Sequence, residues 1–314
     1  MDGCGLRDMS AGAEMADGEA WAYPTVYARP TGLPDFSPDS GSDYQKALRA
    51  RDSWDPLAGG EIAMLSSRCG RVTVGVGSGL VVKYSTHDLH GEYTTLDEVH
   101  KACKSGTPRP VAHWKCETPE RWAMVMTRLP GEPLDDDAKH FDGRVLRGVS
   151  RSLRDIMASA RKLKSPTIGG CGVEPARSRF IGCDGLGFNG VNDGLSLLHH
   201  MTRLYSGAGD VAVGRVHSEH SAYVASLPGG VETYVMTHGD LHPNNVVVHD
   251  EGGTVRVGLV DWEFGSYMPL YWEHLMARLT YTPQQWRLAM CEAVDEYPGV
   301  VNAIVDMIAE SQGR

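Results

Sequence analysis

No Cys-x-x-Cys pair occurs in this 314-residue sequence: the seven cysteines, Cys4, Cys69, Cys103, Cys116, Cys171, Cys183 and Cys291, are odd in number and scattered. Neither a zinc site nor a disulfide framework is indicated, and a reducing compartment fits best. No apolar run approaches the length needed to span a bilayer, and the N-terminus opens on Met1-Asp2-Gly3 rather than on an apolar leader. The expectation is a soluble cytoplasmic protein with no membrane partner. Basic charge is also short, 30 Lys and Arg against 40 Asp and Glu, and no Lys/Arg cluster is long enough to track phosphates, so no nucleic-acid partner is expected. No internal repeat is visible. Residues 1–45, rich in Gly, Ala, Ser, Asp and Pro, lack any sustained hydrophobic period and read as a flexible arm. The remainder, in a chain that is 41% hydrophobic, has ample apolar content for a core.

What is present concentrates in one stretch, His238-Gly239-Asp240-Leu241-His242-Pro243-Asn244-Asn245, followed by Leu259-Val260-Asp261-Trp262-Glu263. Tyr234 to Thr237 and Asn245 to His249 read as short strands around a tight loop stiffened by Pro243. The Gly252-Gly253 turn then returns the chain through Thr254 to Val260 and delivers Asp261 beside Asn245. A carboxylate, an asparagine five positions on and a second carboxylate after an apolar run suit phosphoryl transfer from a magnesium nucleotide, one group handling the acceptor hydroxyl and two holding metal. Either fragment by itself is an ordinary turn or strand end, since Gly and Asp are common turn formers. Their order, with a lysine and a glutamate upstream, favours the catalytic reading.

These residues resemble the His-Gly-Asp-x-x-x-x-Asn loop of the aminoglycoside phosphotransferase family, small-molecule relatives of protein kinases. Val260-Asp261-Trp262-Glu263, with Pro269 and Tyr271-Trp272-Glu273, resembles the fungal-type branch, and the likeness extends over about residues 60 to 312. It implies an α+β, bilobal, protein-kinase-like fold: a small antiparallel-sheet N-lobe over 46–129 and a larger, mainly helical C-lobe over 130–314, with ATP and Mg²⁺ between them. Asp240 would be the catalytic base that orients the acceptor hydroxyl, and Asn245 and Asp261 the metal ligands. The hinge would be Arg128-Leu129-Pro130-Gly131-Glu132-Pro133-Leu134, with adenine on the Thr127 carbonyl and the Leu129 amide.

Upstream, Arg71 to Lys83 reads as two strands joined by a glycine-rich turn. A turn with Gly75, Gly77 and Gly79 brings backbone amides close to phosphates, although an ordinary hairpin turn needs the same residues. A lysine ending the Leu80-Val81-Val82 run must either reach water or point inward at a fixed anion, and the resemblance makes Lys83 the ligand of the α- and β-phosphates. On a helix from Gly91 to Cys103, Glu92, Leu96, Val99 and Cys103 share one stripe while Asp97 and Glu98 point away, so Glu92 is selected as its partner. Glu92 near a helix N-terminus is also favoured by the dipole alone.

Val145 to Leu163 reads as a core helix. Leu195, Leu198, Met201 and Leu204 mark another, capped by Asp193, and Glu219 to Leu227 a shorter one. The connection from Ser165 to Asn192, with Arg177, Arg179 and Phe180, borders the acceptor site in the family it resembles. His238 reads as a hydrogen-bonding residue under the loop, whereas His242 either faces the γ-phosphate or packs on Pro243. Metal ligation by His199, His200, His217 or His220 is disfavoured, because no matching ligand set is seen. The acidic residues Glu273, Glu292, Asp295 and Glu296 either line a pocket for an amine-bearing acceptor or, the preferred reading, sit on solvated helix faces. The function expected is transfer of the γ-phosphoryl group of ATP to a hydroxyl of a small molecule. The alternatives are a nucleotide-binding pseudokinase and a protein kinase. Against the last stand Gly239, in place of the arginine that reads a phosphorylated activation loop, and the lack of an Ala-Pro-Glu segment after Asp261.

Overall fold

The computed structural model describes residues 62–68, 71–76, 79–116, 121–134, 143–172, 174–178, 188–280 and 284–313; the arm over 1–45, Gly77, Arg179 and Phe180 lie outside the described residues. The fold is α+β, with a sheet lobe and a mainly helical lobe. Strands β1 (Ile62–Arg68), β2 (Arg71–Val76), β3 (Leu80–Ser85), β4 (Pro110–Cys116) and β5 (Arg121–Thr127) form an antiparallel sheet in the order β1-β2-β3-β5-β4, and α1 (His90–Cys103) connects β3 to β4. Strand periodicity sorts this sheet's two faces. Val82 and Val125 pack on one face with Val72, Val74, Val111 and Ala112. Val81, Met124 and Met126 face the other way, into the large core shared with α1. Lys83 is two residues from Val81 and opposite Met124, so it enters the α1 side of the sheet as a buried cation.

Beyond β6 (Glu132–Pro133), α2 (Gly143–Ala160) and β7 (Lys164–Ser165) lead to α3 (Gly194–Leu204) and α4 (Asp210–Ser226). Then come β8 (Tyr234–Thr237), β9 (Val246–Glu251), β10 (Thr254–Leu259) and β11 (Ser266–Met268), and three helices, α5 (Trp272–Leu279), α6 (Gln284–Ala293) and α7 (Pro298–Ser311). The short strands pair as β10-β9-β6 and β11-β8-β7. Two cores result. One joins α1 and β5 to Val149, Leu153 and Met157 of α2, to Trp286 and Met290 of α6, and to Leu241, Leu259 and Trp262. The other joins α3, α4, α5 and α7 around Leu197, Met201, Val216, Trp272 and Ile304.

Several sequence expectations are corrected here. The helix expected over Glu219 to Leu227 begins instead at Asp210. Its apolar residues are poorly segregated to one face, and packing on α7 sustains what periodicity undersells. Asp193 does cap α3, in a reciprocal box with Ser196, but Leu195 and Leu204 are exposed and the buried stripe is Leu197, Leu198 and Met201. β4, for which no expectation was drawn from the sequence, is an edge strand beginning at Pro110, where a missing amide breaks no ladder. Gly75 is not in a turn: it lies within β2, paired with Val81, and a Cβ there would come 3.1 Å from Nη1 of Arg128.

Candidate active site

The loop between β8 and β9 is held by its backbone from three sides. Gly239 has φ +76°, and a Cβ on it would sit 2.9 Å from the Phe264 carbonyl oxygen, so the position is closed to an arginine for backbone reasons alone. His238 accepts the Asp240 amide at Nδ1 (3.2 Å) and meets the Val260 carbonyl through Nε2 (2.9 Å), a pairing that fits a neutral ring protonated on Nε2. His238 therefore ties the loop to the segment leading into Asp261, the structural role its sequence context suggested. From α6, Trp286 donates its indole N–H to the Leu241 carbonyl at 3.1 Å.

The third clamp is Glu273 of α5. It is fully buried, and its Oε1 accepts the backbone amides of both His238 and Gly239, the latter at 2.9 Å. This corrects both sequence readings of Glu273, as a pocket residue and as a solvated face. Burial raises its carboxyl above the ordinary value, against the pull of the Gly239 amide. The signal existed in the sequence only as a glutamate in an apolar helix, Trp272-Glu273-His274-Leu275, which has no exposed side for it.

Within the clamped loop, Asn245 donates its Nδ2 to the Asp240 carbonyl (2.9 Å) and to Asp240 Oδ2 (3.1 Å). That leaves the amide oxygen of Asn245 as its metal-capable atom. The Asn245 carbonyl accepts the Val260 amide at 2.9 Å, which sets Asp261 one residue away. Asp261 itself has φ +63°, left-handed backbone that a non-glycine residue adopts only where its surroundings impose it. The two bonds of His238, the burial of Trp262 and the bond from Trp262 Nε1 to the Leu259 carbonyl (3.2 Å) supply that imposition.

Lys83 joins this loop to the sheet. Its Nζ lies 2.9 and 2.8 Å from the two carboxylate oxygens of Glu92 and 2.5 Å from Asp261 Oδ1. Glu98, by contrast, pairs with Lys101 on the outer face of α1. Glu263, two residues beyond Asp261, pairs with Arg71 at 2.5 Å. Arg71 and Glu263 lie 192 positions apart and were not singled out as site residues. Two cations thus face three carboxylates in a space that is buried at Lys83 and Glu92 and partly open at Arg71 and Asp261. Burial pulls Lys83 down, but Asp261 and Glu92 outweigh it and hold its ammonium above the usual range. Asp261 is held low by Lys83 despite its own burial, while burial lifts Glu92 to about 7 and raises Glu263. Oxygens of Glu92, Asp261 and Glu263 come within 4.8 Å of one another. Surplus negative charge on hard oxygen donors, with Asn245 joined through its backbone carbonyl to the residue before Asp261, fits Mg²⁺ and not a soft metal.

Of the other expected nucleotide contacts, the Gly79 carbonyl accepts the Arg128 amide at 2.8 Å, joining the start of β3 to the hinge. Thr127 donates its amide to the Arg109 carbonyl and accepts the Arg109 amide at Oγ1. Leu129 packs against Gly258 of β10. His242 accepts the Asn244 amide at Nδ1 and so caps the turn Pro243–Asn245, a use that neither sequence reading of it contained.

A family model described as the phosphotransferase enzyme family matches residues 71–300, a span that includes the loop, the lysine strand and the hinge. The chain belongs to the phosphotransferase enzyme family. Among solved structures of the same fold are the GDP complex of wild-type aminoglycoside 2'-phosphotransferase-IIIa, with 13% identity and TM-score 0.53 over 86% of this chain and 90% of that one, and the GDP and kanamycin complex of APH(2")-IIia, with 11% identity and TM-score 0.52 over 85% and 88%. No curated protein matches significantly. As a phosphotransferase the chain has its acid-base candidate, its buried lysine and its oxygen-rich cluster at one junction between sheet lobe and helical lobe. Among the described residues no helix is long and apolar enough to cross a membrane.

Proposed function

We propose that this phosphotransferase moves the γ-phosphoryl group of ATP to a hydroxyl of a small molecule, in a cleft between an N-lobe ending near residue 129 and a C-lobe from residue 130. The observation that carries the reading is the buried junction of Lys83, Glu92 and Asp261 beside the Asp240–Asn245 pair. Lys83, held by Glu92, would bind the α- and β-phosphates. Gly75, Gly77, Gly79, Thr127, Leu129 and His242 are the further nucleotide-side candidates, and Gly75 and His242 are the weaker of these because each already has a role inside the fold. Asn245 and Asp261 would hold Mg²⁺, which when bound neutralises charge developing on the transferred group. Asp240 would orient the acceptor hydroxyl and take its proton as the oxygen–phosphorus bond forms. A loose transition state asks more for positioning than for basicity, so an ordinary carboxylate suffices.

Kanamycin in one structural neighbour supports a polar, multiply hydroxylated acceptor class, and GDP in both makes GTP a necessary parallel donor in any assay. The test is nucleoside-diphosphate release from Mg-ATP and Mg-GTP with aminoglycosides, amino alcohols, sugars and small secondary metabolites, with mass spectrometry of products. Acceptor-stimulated release with a phosphorylated product is the expected result. Nucleotide binding by thermal shift with no release for any acceptor would replace the enzyme reading with a binding module.

A further inference from the structure

The helix that carries Glu92 is braced at its N-terminus from the helical lobe. α1 starts after Leu89, whose own side chain offers no cap; Asp88 Oδ1 accepts the His90 amide at 2.7 Å, and the carboxylate in the first turn, Glu92, is turned inward to Lys83. The Glu174 carboxylate is packed onto Gly91 so closely that a Cβ at residue 91 would overlap it, with the carboxyl carbon only 2.9 Å away. Glu174 is itself held. Its carbonyl accepts the Gly170 amide at 2.8 Å, its side chain pairs with Arg177 at 3.2 Å, and Gly169 bridges to Tyr267 next to the strand β11 pairing. Thr95 of α1 packs against Gly265 and donates its hydroxyl to the Gly265 carbonyl at 3.5 Å. A small polar cavity lined by Gly91, Thr95, Cys171, Glu174, Arg177 and Glu263 marks the seam.

We propose that Glu174 is a positioning residue for nucleotide binding: its carboxylate, seated over Gly91, fixes α1 in the orientation that presents Glu92 to Lys83. This rests on the nucleotide site proposed above. A negative charge at a helix N-terminus is favoured by the dipole, so the contact holds the helix by its end. Gly91 is the permissive element. Alanine is the better helix former at an ordinary helical position, so Gly91→Ala would strengthen α1 if the helix merely needed to fold, and would weaken nucleotide binding if Glu174 must sit there.

The experiment compares wild type with Glu174→Ala, Glu174→Gln and Gly91→Ala in full-length protein, reading the Kd for a fluorescent N-methylanthraniloyl ATP with MgCl2 and the hydrogen exchange of residues 90–96. Glu174→Ala and Gly91→Ala should each raise Kd by about tenfold and speed exchange in that segment. Glu174→Gln, which keeps an oxygen over Gly91 but not the charge that the helix dipole favours, should recover only part of the affinity. Wild-type Kd and exchange in both Glu174→Ala and Gly91→Ala would overturn the brace. If wild type itself bound no nucleotide, the nucleotide reading would fall, and the brace would be judged by exchange alone: faster exchange in both variants supports it and unchanged exchange rejects it.

Discussion

Asp240 and Lys83 make opposite demands on a substitution. Asp240 sits in a loop whose backbone is held by Glu273, His238 and Trp286, so Asp240→Asn leaves the scaffold and removes only the carboxylate's acceptance of a proton. Its kcat should fall by about 10²–10⁴-fold, with the Kd for Mg-ATP nearly unchanged, in steady-state and binding measurements made side by side. An unaltered kcat would remove Asp240 from the mechanism. Lys83 instead neutralises Glu92 and Asp261 with only 6% of its side chain exposed. Lys83→Met should therefore cost about 3–5 kcal/mol of stability as well as nucleotide affinity, because it strands buried charge. Adding Glu92→Gln should return part of the stability and none of the activity, a coupling that urea titration of the single and double variants measures. If Glu92→Gln destabilised the Lys83→Met background further, the assigned pairing would be wrong.

At the scale of elements, α5 and the loop after β8 act as a unit through Glu273. Glu273→Ala leaves two buried amides, those of His238 and Gly239, without an acceptor, at about 1–3 kcal/mol each, whereas Glu273→Gln keeps an acceptor oxygen. The alanine variant should unfold at lower urea and lose kcat more than nucleotide affinity. The pH dependence has a definite sign. Because the folded carboxyl is raised by burial, Glu273 favours the fold below its unfolded value, and that contribution is lost as pH rises through the folded value. The stability of wild type relative to Glu273→Gln should thus decline with rising pH across that window, as followed by denaturant midpoints. A flat difference would mean that Glu273 titrates as it does in the unfolded chain. The left-handed backbone of Gly239 belongs to the same unit, since it lets the loop pack on Phe264, and that is a local reason for glycine here independent of the acceptor's identity.

At the scale of the molecule, the site is a junction: Lys83, Glu92 and Arg71 come from the sheet lobe, and Asp240, Asn245, Asp261 and Glu263 from the helical one. A ligand that bridges them stabilises the native state by mass action, by about 2.7 kcal/mol at a hundredfold excess over Kd. Mg-ATP should accordingly raise the Tm of wild type and Asp240→Asn alike and fail to raise that of Lys83→Met, as read by differential scanning fluorimetry. Loss of the shift in Asp240→Asn alone would place Asp240 in nucleotide binding. The sequence by itself determined the strands and turn that present Asp240, Asn245 and Asp261 and the face of α1 that carries Glu92, because each depends on periodicity or turn chemistry within a few residues. It also carried the family, through motifs equally local. Only the tertiary structure decided that Arg71 meets Glu263, that Glu273 holds the loop from below and that Glu174 seats on Gly91. Those partners lie far apart along the chain, and a charged side chain reads alike in sequence whether it meets water or a buried amide; burial, which assigns its role, is a property of the packed molecule.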